Sequence, residues 1–293
     1  MSTTRTATNR YRLPENTHIG SLGLRVSDLQ HSLSFYRDLL GLSESNRIDS
    51  TVSLSASHAG EPIILLTEKR DARPRPPHST GLYHAAIVLP NRRELARVFR
   101  RLYTEGWPFQ GFADHGVSEA LYLADPEGNG IELYADRPPD RWVRKDGQIQ
   151  MVTLSLDLEN LLAELPKGDD PWIGIHPETK IGHVHLQVSD LQKAERFYHE
   201  LLGFEVTQRS FPGALFMSAG GYHHHIGLNV WESLGGTEPP ADALGLAKFS
   251  ITLPNPVERS VVRDRLLEAG ISLEETGAGF LMRDDDGIAI EIR

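Results

Sequence analysis

The 293 residues are 39% hydrophobic and 24% charged, a globular composition with length for about two domains. The formal net charge of −10 excludes a general nucleic-acid binder, and the absence of cysteine excludes disulfides and thiolate metal ligands. No stretch approaches the roughly 20 apolar residues of a membrane span, and Met1 to Arg12 lacks the apolar core of a secretion signal, so the expected location is cytoplasmic.

From Ile19, Leu22, Leu24 and Val26 alternate as in a half-buried strand. Ser27 and Asp28 offer an N-cap. Leu29, Leu33, Tyr36, Leu39 and Leu40 then recur at helical spacing until Gly41 stops the helix. A second unit starts at Leu82, where His84, Ala86 and Val88 share a strand face. Pro90 and Asn91 open a helix carrying Leu95, Val98, Phe99 and Leu102, which ends at Gly106. Two closing strands, Ala120 to Leu123 and Gly130 to Tyr134, flank a turn at Asp125 to Gly128. Residues 137–179 are proline-rich, with one short helix expected over Asp157 to Leu165. Trp142 and Trp172 need burial, so this reads as an ordered connector packed on both halves.

The third unit repeats the first: residues 20–41 return as 182–203, with Asp190 where the first copy has Asp28. The fourth repeats the second, from Phe249 through a helix ending at Gly270 to a closing segment at Phe280 to Glu291.

The repeat register isolates a set of candidate ligands. His84 and His183 each stand on a first strand, seven residues before the helix caps Asn91 and Asp190. Glu132 lies on the last strand of the second unit. Two His and one carboxylate on rigid strands suit a divalent metal with open positions, as in non-haem Fe(II) sites. The equivalent positions elsewhere are Ser21, Lys248 and Glu291, so units one and four read as metal-free. His223, His224 and His225 precede the apolar run Ile226 to Val230. In a strand, His223 and His225 would face one way and His224 the other. His is the natural proton carrier near neutral pH. His115 and Tyr122 stand upstream of Glu132, and each reads equally as a site residue or as an ordinary loop and strand residue. His185 lies two residues beyond His183 on the same strand face, where it could line the cavity. His18, His31, His58, His78, His176 and His199 read as solvated.

At these residues the chain resembles the vicinal oxygen chelate superfamily, and within it the four-module, catechol 2,3-dioxygenase-like extradiol proteins of Bacillus type. The resemblance covers nearly all of 17–137 and 179–293, and is close at 181–190, 218–229 and 118–136. It implies an α+β fold of four βαβββ modules in two tandem domains, 17–137 (modules one and two) and 179–293 (modules three and four), joined by 138–178. It implies Fe(II), with Mn(II) as the rarer ion, held by His84, Glu132 and His183. His224 would be the acid–base residue, with His115 and Tyr122 supporting it. The partners implied are a small aromatic diol and O2, and a homo-oligomer is expected.

One departure has a structural consequence. Pairing module one with two offers Ser21, His84 and Glu132; pairing three with four offers His183, Lys248 and Glu291. Only pairing two with three completes the triad, so that pairing is expected. A glyoxalase-like isomerase or lyase using Ni or Zn is the enzymatic rival. It would need a second carboxylate where Leu65 and Leu228 stand. A metal-free binding protein is the non-enzymatic rival.

Overall fold

The computed structural model describes residues 11–168 and 170–293. Module one comprises β1 (His18–Val26), α1 (Leu29–Leu33), β2 (Ser43–Ile48), β3 (Thr51–Ser55) and β4 (Ile64–Glu68). Module two comprises β5 (Gly81–Leu89), α2 (Arg92–Thr104), β6 (Phe109–Asp114), β7 (Ser118–Ala124) and β8 (Gly130–Asp136). The connector carries a small hairpin, β9 (Arg144–Lys145) and β10 (Gln148–Ile149), and α3 (Leu158–Leu162). Module three comprises β11 (Lys180–Gln187), α4 (Leu191–Glu195), β12 (Glu205–Gln208), β13 (Ala214–Ser218) and β14 (Ile226–Asn229). Module four comprises β15 (Gly245–Thr252), α5 (Pro256–Glu268), β16 (Glu274–Glu275), β17 (Phe280–Arg283) and β18 (Ala289–Ile292).

Each module helix begins on a short polar cap. Asp28 accepts from the His31 amide, Asn91 from Glu94, Asp190 from Gln192 and Lys193, and Asn255 from Val257 and Glu258. Such a cap contributes about 1 kcal/mol. The helices of modules one and three differ from the regular ones expected. After α1 and α4 the chain widens into π-helical segments, Ser34–Leu39 and Arg196–Leu202. The Leu40 amide accordingly reaches back five residues to the Phe35 carbonyl at 2.9 Å. The wider turn lets two adjacent aromatics face inward, Phe35 with Tyr36 and Phe197 with Tyr198, and all four are buried.

The strands form two eight-stranded sheets. One runs β16-β17-β18-β15-β1-β4-β3-β2 and the other β12-β13-β14-β11-β5-β8-β7-β6. Module one therefore pairs with four, through antiparallel β1 and β15, and module two pairs with three, through antiparallel β5 and β11. Module one meets module two, and module three meets module four, by packing rather than by strand pairing. The Tyr36 hydroxyl donates to Asp125 across the two sheets at 2.8 Å, and Tyr198 donates to Asp284 at the same distance. One continuous apolar core joins both sheets. The connector packs on both halves as its tryptophans require. Trp142 is buried with Val117 of module two and Ala214 and Phe216 of module three, and Trp172 lies against Arg97. No helix among the described residues is long and apolar enough to cross a membrane.

Candidate active site

The register of three strands builds the site. β11 runs antiparallel to β5 with His183 opposite Ala86, and β8 runs parallel to β5 with Glu132 opposite Ala86. His84 stands two residues from Ala86, so it shares that face. Ala86 is the small residue at the centre of the row, which leaves room for three long side chains to converge over it. Gly130 lies opposite His84, where a Cβ would collide with the Tyr83 carbonyl, so β8 can run close beside β5 only without a side chain there.

His84 Nε2 lies 3.0 Å from Glu132 Oε2, and His183 Nε2 lies 3.2 Å from the same oxygen. The three donor atoms lie within 4.8 Å of one another, and all three residues are buried. Burial by itself would push the Glu132 carboxyl up, but His183 and His84 beside it outweigh this and hold it well below the usual range. Burial lowers His183 to about 4, which leaves its ring neutral and able to ligate. His84 Nε2 is buried and not aligned for a hydrogen bond with any partner. It is what a ligand nitrogen looks like without its ion, and the donor set of two imidazoles and one carboxylate fits a divalent transition metal.

Beside the cluster lies a cavity of about 370 Å³. His84 and Glu132 open onto it, with Tyr83, Phe211, Phe216 and Trp231 as aromatic walls and connector residue Met151 among the other lining groups. His224 also lines it, its ring 4.0 Å from that of His183 and 4.9 Å from that of Phe216. Tyr122 stands opposite Glu132 on β7. Its hydroxyl lies 2.7 Å from His115 Nε2, and His115 Nδ1 lies 2.7 Å from the Val152 carbonyl. The carbonyl can only accept, so His115 donates to it from Nδ1–H. Burial and the neighbouring Glu132 raise Tyr122 well above the usual tyrosine value, so it remains a hydroxyl.

The family model of the Glyoxalase/Bleomycin resistance protein/Dioxygenase superfamily matches residues 18–133 and 180–292. The chain belongs to that superfamily. Within it, the chain is 43% identical over 275 residues to the catechol-2,3-dioxygenase of Bacillus subtilis (strain 168), covering 92% of this chain and 94% of that protein. Two solved structures share the fold. A candidate dioxygenase of Bacillus subtilis subsp. subtilis str. 168 superimposes with a TM-score of 0.66 at 14% identity, over 96% of this chain and 86% of that one. Glyoxalase I of Zea mays superimposes with a TM-score of 0.57 at 16% identity, over 94% and 92%.

In this superfamily member the six residues singled out from the sequence all lie at one locality, but three details differ from expectation. The histidine run 223–225 precedes β14 instead of lying within it. Gly220 and Gly221 both take positive φ, 63° and 72°, and the irregular backbone that follows lets His223 and His224 touch through their Nδ1 atoms at 2.8 Å. Adjacent residues in a strand would point apart. His176 and His199 are half-buried rather than solvated, with His199 Nδ1 at 2.5 Å from the Phe204 carbonyl; His18, His31, His58 and His78 are exposed. His185 lines the cavity 4.9 Å from the His84 ring. The sequence reading missed Asp136, Tyr222 and the aromatic walls Tyr83, Phe211, Phe216 and Trp231. Position parity was the available signal for Asp136: residues 132, 134 and 136 of β8 share a face.

Proposed function

We propose that the chain is an extradiol ring-cleaving dioxygenase that inserts O2 into catechol or a substituted catechol. His84, Glu132 and His183 would hold Fe(II), with Mn(II) as the alternative ion. The observation that carries this reading is the convergence of two imidazoles and one carboxylate beside a cavity with aromatic walls. The relative named catechol-2,3-dioxygenase supports it. A bound ferrous ion would supply Lewis acidity toward a chelating diol and the redox chemistry of O2. The protein's own part is placement. The aromatic walls would hold the ring and exclude water. His224 would accept a hydroxyl proton at Nε2, since its Nδ1 is engaged by His223. Tyr122 and His115 would hydrogen-bond a substrate oxygen. A Ni or Zn isomerase is disfavoured because the buried cluster contains one carboxylate and Leu228 is buried where a second would stand.

Anaerobic loading with Fe(II), followed by exposure to catechol and air, tests the reading. A yellow ring-fission product is expected. Metal analysis of the protein as purified separates the rivals: iron supports the oxygenase, zinc or nickel supports an isomerase, and full function as a binder with no metal would overturn both.

A further inference from the structure

Behind the cavity runs a hydrogen-bonded chain to which the proposed reaction gives no role. His223 is fully buried, and its Nε2 lies 2.9 Å from Asp136 Oδ1. Its Nδ1 lies 2.8 Å from Nδ1 of His224. The other oxygen of Asp136 accepts from the Tyr222 hydroxyl at 2.9 Å. Tyr222 has one hydroxyl hydrogen, so at its 2.7 Å contact with Tyr134 it accepts.

The hydrogens in this chain follow by elimination. A carboxylate only accepts, so His223 donates from Nε2. With a single ring hydrogen, placed on Nε2, His223 is an acceptor at Nδ1; a second ring hydrogen would make it a donor there. Opposite a singly protonated His223, His224 donates from Nδ1, which leaves its Nε2 bare and available to the cavity. The alternative neutral tautomer of His224 would set two Nδ1 lone pairs against each other at 2.8 Å with no hydrogen between them. Neither ring can swing away from this arrangement. His224 is packed between His183 and Phe216, and His223 lies 4.1 Å from the Tyr222 ring and 5.4 Å from Trp142.

We propose that Asp136 and His223 are positioning residues that fix His224 in the Nδ1–H tautomer, so that an unprotonated Nε2 faces the substrate. Strand β8 makes this possible. It carries Glu132, Tyr134 and Asp136 at alternate positions, so one strand delivers the metal ligand and, two positions beyond Tyr134, the carboxylate that orients the base. What Nε2 does there rests on the dioxygenase reading; the tautomer does not.

Nitrogen-15 NMR of histidine-labelled, metal-free protein tests the tautomer directly, with the two rings assigned by signals lost in His224→Gln and His223→Gln. The expected pattern is His224 protonated at Nδ1 and His223 at Nε2. Protonation of His224 at Nε2 in the wild-type protein overturns the proposal without any variant having to fold. In the iron-loaded enzyme, Asp136→Leu is expected to mix the tautomers of His224 and lower kcat by roughly 10–100-fold with iron content unchanged. KM is expected to stay within about twofold. Asp136→Asn retains an acceptor and is expected to recover most of the rate and the wild-type tautomer pattern. A wild-type pattern and rate in Asp136→Leu would also overturn the proposal. Absence of ring cleavage in the wild-type protein would sink the dioxygenase reading and leave the tautomer result standing.

Discussion

The two sheets share one backbone plan and satisfy a buried carboxylate in opposite ways. In the sheet of modules two and three, Glu132 faces two imidazoles, and His84 Nε2 lies 3.0 Å from it without an aligned hydrogen bond. In the sheet of modules one and four, the equivalent Glu291 lies 3.1 Å from Lys248 Nζ and receives Arg293 Nε at 2.7 Å. Ser21, at the place of His183, is tied to Ser250, its amide 2.7 Å from that hydroxyl oxygen. A buried carboxylate needs positive charge. One sheet builds it in permanently as ammonium and guanidinium; the other sets two imidazoles against the carboxylate, a donor set that could hold a metal ion. The fold therefore provides the frame twice, and the two copies differ in what stands opposite the shared carboxylate: His84 and His183 in one, Lys248 and Ser21 in the other.

The sharpest way to break this contrast is to remove a ligand. His84→Ala should lose the metal and bring ring cleavage below detection, more than the roughly 10–100-fold expected for losing a supporting residue. Metal content and turnover measured on the same preparation decide it, and a variant that retains iron and rate would remove His84 from the centre. His224→Ala should separate chemistry from binding. The metal stays, and kcat falls by about 10²–10⁴-fold, the usual worth of a positioned acid–base group.

That contrast explains why some of the site was legible in the sequence and some was not. His84, His183 and Glu132 could be found because strand register is periodic and the repeat supplies four aligned copies. Substituting Lys248 for a histidine then marks a site as closed. The pairing of module two with three followed from the same ligands. Asp136 and Tyr222 were not legible as a pair, because their meeting depends on the irregular chain after Gly221, which no periodicity describes. The cavity wall at Met151 and Val152 comes from a connector whose sequence announced only that its tryptophans needed cover. The π-helical segments escaped because they preserve an apolar spacing close to that of an α-helix.

The sheets should also differ in the sign of their pH response. Burial lowers His225, in the histidine-bearing sheet, to about 3. The unfolded chain then takes up a proton below about pH 6.5 that the folded chain refuses, so this residue makes stability fall on acidification toward pH 3. Asp284, in the other sheet, is raised by burial to about 7. The folded chain keeps a proton that the unfolded chain has released above about pH 4, so its contribution is lost as pH rises from there to 7. Each group acts with a slope of at most about 1.4 kcal/mol per pH unit. Over pH 4–6.5, His225→Asn should flatten the rise of stability with pH, and Asp284→Asn should steepen it. Denaturant midpoints of the metal-free proteins read both, and parallel shifts in the same direction would contradict the assignment.

The smallest effect concerns the closed site itself. Lys248→Met removes one of the two cations facing Glu291 and leaves Arg293 in place. The lysine side chain is 35% exposed, so solvent screens much of its charge. A loss of about 1 kcal/mol in stability is expected, well short of the cost of stranding a fully buried charge. Ring cleavage should not change, because Lys248 belongs to the sheet that lacks the histidines. A fall in kcat without a fall in stability would mean that the two sheets are coupled, and that the ion-paired one does more than hold the fold. Lys248→Met also leaves no room for a metal to take over, since Arg293 still occupies Glu291 and Ser21 offers no imidazole. Iron content per chain should therefore stay at one site's worth, which a metal assay on the same variant measures.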